Sequence, residues 1–274
     1  MRNRWLSTVA LPLLALLAAG CSSPEVVSAE SVTLPPDDVP RMSNLEGAAH
    51  GFPALRTLDG ETLGDGDFRQ WIEDGKLQVR LRYDLAPGAW IEERSVLQQE
   101  PTLVQEHWSW TEMRDEKVRR RFEVDLLTGD ATAEKLEKGE MHRWSKHLKV
   151  TPGKTFAGFA WALVLRSHRD ELLRGEKIEL QAVGFTPKPT AAKVELSWRG
   201  LEQVPMSGRT VAADHFQVHP KVPWIAKPFI EAPDSQIWLT NPPPAAFLRF
   251  EGALAEPDDP IIRVDLLPGV ASRS

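Results

Sequence analysis

Cysteine occurs once in 274 residues, at Cys21, and tyrosine once, at Tyr83. A lone sulfur forms no internal disulfide and has no thiol companion for a metal site, so neither kind of staple organises this chain. No apolar run reaches the about 20 residues that a helix needs to span a bilayer. Leu6 to Ala19 is shorter and is interrupted by Ser7, Thr8 and Pro12. The G-x-S-x-G pattern of a nucleophile elbow is missing. So is any exact repeat in the range of roughly 20 to 50 residues, which excludes propellers and solenoids. Basic residues are outnumbered: 33 Lys plus Arg stand against 39 Asp plus Glu, for a net charge of −6. Apart from Lys117 to Arg121 there is no basic stripe, so a nucleic-acid groove is excluded. That cluster, "KVRRRFEV", alternates into a strand pattern and reads as a solvated strand face or hairpin end.

What is present starts with an export signal. Arg2 and Arg4 precede the apolar stretch, and Ala18, Ala19 and Gly20 lead into Cys21 in "LALLAAGCSS". A positive start, a short apolar core and small residues make a leader that is removed. The small residues ending on cysteine resemble the lipobox of bacterial lipoproteins, with Ala18 where that family prefers leucine. The resemblance implies that Cys21 is acylated and becomes the first mature residue. Several acyl chains, at about 0.8 kcal/mol per buried CH₂, anchor a protein to a membrane essentially permanently. Ser22 rather than aspartate follows, which resembles sorting to the outer membrane, facing the periplasm. The competing reading is an ordinary secretory signal that leaves Cys21 as a free thiol. Residues 21–53, rich in proline, serine and acids, read as a flexible tether after the 1–20 leader. Residues 54–274 form a single domain in this reading.

The body is expected to be mainly β. "KLQVRLRYDL" sets Leu77, Val79, Leu81, Tyr83 and Leu85 against Gln78, Arg80, Arg82 and Asp84, the alternation of a half-buried strand. "APGAW" turns the chain, and "WIEERSVL" returns from it. "TLVQEHWSWTEM" alternates Val104, Glu106, Trp108 and Trp110 against Gln105, His107 and Ser109, and "RRFEVDLLTGD" groups Phe122, Val124 and Leu126. "KIELQAVGF", "AKVELSW", "HFQVHP", "SQIWLT", "FLRFEGAL" and "IIRVDLL" supply six more strands. Between them, "TFAGFAWALVLRSHRDELLRGE" repeats apolar residues at three and four. That spacing predicts one helix of about 18 residues lying on the sheet, capped by Thr155 and stopped at Gly175. A long strand through "FAWALVL" is the alternative.

Chemistry-bearing patterns are thin. His215 and His219 share a strand pattern, which sets them about 13 Å apart, too far for one zinc with ligands at about 2.1 Å. His142 and His147 have no carboxylates between them, and His168 lies near Asp170 and Glu171 without a nucleophile motif. "DGETLGDGDFRQ" resembles a calcium loop, but Leu63 and Gln70 stand where oxygen ligands belong. No catalytic residue, metal site or cofactor follows from these patterns, and the chain reads as non-enzymatic. The tryptophans sit in apolar strand company and read as core rather than as a sugar platform. "HPKVPWIAKPFIEAPDSQIWL" is apolar yet broken by three prolines, so it cannot be a regular central strand. Such a segment closes the core or faces a lipid-sized cavity.

The order of strands, "FEVDLLTGD", "FAGFAWALVLRSHRDELLRGEKIELQAV", "FQVHP" and "IIRVDLL" resembles a group of uncharacterised bacterial envelope lipoproteins. More distantly it resembles the half-barrel of the lipoprotein carriers and receptors. That resemblance implies a large curved antiparallel sheet or half-barrel with a helix packed on it. The leading expectation is an envelope lipoprotein that binds a lipid, another apolar ligand or a lipidated partner between sheet and helix, with Phe156, Phe159, Leu163, Trp224, Ile225 and Phe229 as contacts. A structural or assembly role with envelope protein partners is the alternative, and a hydrolase with a dispersed site around His168 a weaker one.

Overall fold

The computed structural model describes residues 40–42, 45–206, 208–221 and 233–266. The alternating runs of the sequence become strands, and most join their neighbours by short turns. β1 (Ala49–Gly51) lies along β3 (Thr62–Glu73), outside the main strand order. β2 (Ala54–Thr57), β3, β4 (Lys76–Ala86), β5 (Ala89–Gln98), β6 (Val104–Arg114), β7 (Lys117–Asp125), β8 (Asp130–Glu137) and β9 (Glu140–His147) form one antiparallel meander. The two-residue loops Asp74–Gly75, Asp115–Glu116 and Lys138–Gly139 all have positive φ, which matches the right-handed twist of the strands they join.

The chain then crosses through β10 (Thr155–Phe156), α1 (Ala160–Ser167) and α2 (Arg169–Leu173). A second meander follows: β11 (Ile178–Phe185), β12 (Pro189–Met206), β13 (Arg209–Pro220), β14 (Ser235–Thr240), β15 (Phe247–Ala253) and β16 (Ile261–Asp265). β16 pairs with β2, so the meanders fuse into one 16-stranded open sheet with β9 and β10 at its edges. Every pairing is antiparallel except the short β10–β11 pair. The edge strand β9 exposes most of its side chains, Lys146, Arg143 and two histidines among them, a composition that discourages further strand addition.

The sheet rolls until distant strands touch. Phe185 of β11 stacks on Phe122 of β7 at 4.4 Å and on Trp108 of β6 at 5.8 Å, and Phe122 stacks on Trp110. Phe122, Phe156, Phe185 and Phe216 are fully buried, and each such ring stabilises the fold by about 2 kcal/mol. A smaller cluster of Val204, Met206, Ala213, Trp238 and Leu248 is separate from this main core. An ion network ties the rolled halves together. Arg120 on β7 reaches Glu112 on β6 at 2.7 Å, and Glu256 and Asp259 in the β15–β16 loop at 3.0 and 2.7 Å.

The single helix of about 18 residues is not formed. Thr155 and Phe156 instead pair with Gln181 and Ala182 as β10, and the Thr155 hydroxyl donates to Gln181 rather than capping a helix. Gly158 then takes a left-handed φ of 57°, so helical geometry starts only after it. His168, at φ −102° and ψ 12°, divides the eight residues of α1 from the five of α2. Gly175, φ 86°, closes the second piece. The periodic apolar residues are nonetheless buried, because the short α1 turns Ala160, Leu163, Val164 and Leu165 into the core.

The body also begins before residue 54. Ala49 to Gly51 pair with β3, and the Leu103 amide donates to the Pro40 carbonyl at 2.8 Å.

Candidate functional site

Inside the roll lies a cavity of about 290 Å³. Its walls come from both meanders and from the start of α1; Leu81, Ile91, Trp110, Phe159, Phe250 and Val264 are representative. Apolar and aromatic walls with few polar groups are the usual make-up of a small-molecule site. Among the described residues three polar side chains interrupt this lining, Glu93, Tyr83 and, at the start of β14, Ser235.

Strand parity places Glu93 and Tyr83. On β5, Ile91, Glu93, Ser95 and Leu97 share the inner face, and Glu93 pairs with Leu81 on β4 and Trp110 on β6. Glu93 is half-buried by surface, but that surface faces the cavity it lines rather than bulk water. Its Oε1 accepts from Trp108 Nε1 at 3.0 Å and from the Phe159 amide at 2.6 Å. Among the described residues no donor reaches Oε2. Enclosure pushes the Glu93 carboxyl above its ordinary 4.5, and the two N–H donors only partly offset that desolvation.

Tyr83 pairs with Ile91 on the same inner face, one step diagonal to Glu93. Diagonal neighbours across strands sit about 7–8 Å apart, within reach of long side chains. The Tyr83 hydroxyl is sealed from solvent and has no hydrogen-bond partner among the described residues. Burial first, and the nearby Glu93 charge second, push its ionisation well above the usual phenol range, so it remains a neutral donor.

The strap leading into α1 is docked onto this centre. Gln105 on β6 donates to Ser95 Oγ at 2.6 Å and to the Ala157 carbonyl at 3.1 Å, and accepts from the Ala157 amide at 2.8 Å. One residue on, a Cβ at Gly158 would overlap both Glu93 Oε1 and Trp108 Nε1. Glycine is needed there for its φ and for the approach.

The expected ligand contacts separate into three groups. Phe159 lines the cavity. It also packs on Phe68 at 5.0 Å and Phe247 at 5.5 Å. Phe156 is fully buried and meets the wall residue Trp161 edge-on at 5.8 Å. Leu163 is buried in the core and is not a wall residue. Trp224, Ile225 and Phe229 lie outside the described residues, as does Cys21; Pro220 and Ser235, on either side of 222–232, both line the cavity.

Glu93, Tyr83, Trp108 and Trp110 were not expected from the sequence. Tyr83 was legible as an inward position. Glu93 was hidden in the charged run Glu92-Glu93-Arg94, although it shares its phase with Ile91 and Leu97.

The other chemistry-bearing residues are taken up structurally. His215 stacks on Trp238 at 4.3 Å and contacts Glu202 and Gln236, while His219 contacts Asp234. His168 is buried at the break between the helices. Most of the "DGETLGDGDFRQ" run is strand β3. Comparison of the chain with protein families, with curated proteins and with solved structures finds no match.

Proposed function

We propose that this protein is a lipid-anchored bacterial envelope protein, non-enzymatic, that holds an apolar ligand inside its rolled sheet. The observation that carries the reading is the apolar, aromatic-walled cavity of about 290 Å³ between the meanders and α1. The half-barrel of lipoprotein carriers is the architecture this reading favours, with the short helices and their strap taking the place of one longer helix. Acylation at Cys21 fixes the body beside the outer membrane, where a ligand with a hydrocarbon chain is at hand. Envelope proteins are the other partners the reading admits, and nucleic acid is not among them.

The test is extraction of the full chain from membranes, followed by separation of non-covalent lipid from the covalent anchor with organic solvent. Mass spectrometry of the extract is expected to show one ligand per protein. A protein that emerges ligand-free sinks the reading and leaves the assembly role in its place.

A further inference from the structure

The Glu93 carboxylate is answered only in part by its surroundings. Oε1 accepts from the Trp108 indole and the Phe159 amide. Oε2 has no donor among the described residues and, unlike the Tyr83 hydroxyl, it is not sealed off. It belongs to a side chain on the cavity wall, so its open surface faces the hollow. No cation among the described residues pairs with this carboxylate, and the cavity lining holds no lysine, arginine or histidine. The side chains around it are apolar or aromatic. Leu81 and Trp110 stand directly opposite on the flanking strands, and the Phe159 ring continues the wall from the bonded amide. Directly opposite residues on one face of a sheet have Cβ atoms about 4.5–5.5 Å apart. Enclosed charges are costly unless paired, so an accessible anion in a hollow with no cation of its own describes a receptor for one.

We infer that the cavity takes an apolar cation: a methylated ammonium on a hydrocarbon chain, with the ammonium against Glu93 Oε2 and the chain along the apolar walls. The inference rests on the apolar-ligand reading above and names the chemistry of that ligand. The sign of the charge follows from Glu93. A carboxylate head sets like charge against it, and an alcohol head leaves the anion without a counter-charge. The degree of methylation follows from the walls. A primary ammonium carries three N–H donors, but Oε2 is one acceptor, and Leu81, Trp110 and Phe159 beside it offer no side-chain acceptor. A tertiary ammonium spends its single N–H on Oε2, and a quaternary one has none to leave unpaired. The methyl groups of either rest on apolar and aromatic surface, and aromatic rings attract quaternary ammonium ions in their own right.

Displacement of the fluorescent probe N-phenyl-1-naphthylamine from the full chain, at mildly alkaline pH to favour the carboxylate, tests this with decyltrimethylammonium, decylamine, decan-1-ol and decanoate. Decyltrimethylammonium is expected to bind about tenfold more tightly than decan-1-ol, the order of one charge contact after dehydration is subtracted. Decylamine should be weaker than decyltrimethylammonium, and decanoate weakest of all. Glu93→Gln, which keeps the acceptor for both N–H groups, should abolish the preference for decyltrimethylammonium and leave decan-1-ol unchanged. Glu92→Gln, one residue away on the outer face where Arg80 and Arg94 pair with it, should leave the order of the probes as it was. Circular dichroism checks that the sheet is intact in both variants, and the order on the unmodified protein decides if Glu93→Gln does not fold. If all four probes bind alike, the head-group assignment is wrong while the apolar site stands. It is equally overturned if decylamine, decan-1-ol or decanoate matches decyltrimethylammonium, or if the preference survives Glu93→Gln or is lost in Glu92→Gln. If neither the dye nor any probe binds, the apolar-ligand reading itself fails.

Discussion

Replacing Arg120 with alanine should cost about 3 kcal/mol of folding stability, the low end of the penalty for breaking a buried ion pair. Arg120 is nearly buried and points inward on β7 in phase with Phe122 and Val124. Its guanidinium holds Glu112 at 2.7 Å, Glu256 at 3.0 Å and Asp259 at 2.7 Å, and lies 5.1 Å from the Trp110 ring. Removing it strands these carboxylates unequally. Arg114 still faces Glu112 at 3.0 Å, and Lys135 still faces Glu256 at 2.8 Å. Asp259 has no second cation among the described residues, though its Oδ2 keeps the Ala255 and Glu256 amides. That partial compensation is why the loss belongs at the low end. Urea unfolding followed by tryptophan fluorescence measures it. Adding Asp259→Asn to Arg120→Ala should restore part of the loss, because an amide removes the stranded charge while its oxygen still accepts both amides. An Arg120→Ala protein within about 0.5 kcal/mol of the parent, the range of ordinary surface substitutions, would refute the reasoning. So would a double variant less stable than the single one.

Three other outcomes are expected. Because the Glu93 pKa is raised on folding, the native state binds more protons between the unfolded and folded values, and stability falls as pH rises through that window. Glu93→Gln should flatten this fall and gain on the parent above the window, by about 1.4 kcal/mol for each unit of elevation; parallel pH–stability curves would show that Glu93 is not desolvated. Gly158→Ala forces a side chain into Glu93 Oε1 and Trp108 Nε1 at a left-handed φ, so it should destabilise by at least about 1 kcal/mol, and unchanged urea midpoints would contradict the close approach. Cys21→Ser should move the protein from membranes to the soluble fraction after a high-salt wash, and continued membrane association would mean that something other than acylated sulfur holds it.

Much of the sheet was legible because its strands obey a period of two over long stretches. Leu77, Val79, Leu81 and Tyr83 point inward on β4 as their alternation requires, and Phe122, Val124 and Leu126 are all fully buried. Each of the six runs after the helix became a strand. The phase of β6 was only half legible. Trp108 and Trp110 face inward as read, but Gln105 is fully buried rather than solvated. The register against β5 slips between Val96 and Leu97, opposite His107 and Gln105. One extra residue flips every side chain beyond it to the other face, and nothing local in "VQEHW" announces the slip. The helix was over-read for a related reason. Spacing at three and four continued through Gly158 and His168, where the backbone departs from the helix while the apolar side chains still find the core. Arg120 could not be assigned from sequence either, because its partners Glu256 and Asp259 lie far along the chain and meet it only when the sheet rolls.

The same roll limits what the cavity can hold. A carrier of whole lipoproteins must accommodate several acyl chains, whereas about 290 Å³ is at the lower edge of the range for small-molecule pockets. Widening it means parting strands that are clamped at two places. At one, Arg120 joins β7 to the β15–β16 loop. At the other, Gln105 and Glu93 dock the backbone of residues 157 and 159 onto β5 and β6. Opening the second clamp takes the Ala157 and Phe159 amides and the Ala157 carbonyl from their partners and leaves Glu93 only its Trp108 donor, each unreplaced bond a cost of the order of 1–3 kcal/mol. A ligand that fits the existing hollow avoids that cost. The architecture favours one slender occupant over a bulky multi-chain cargo.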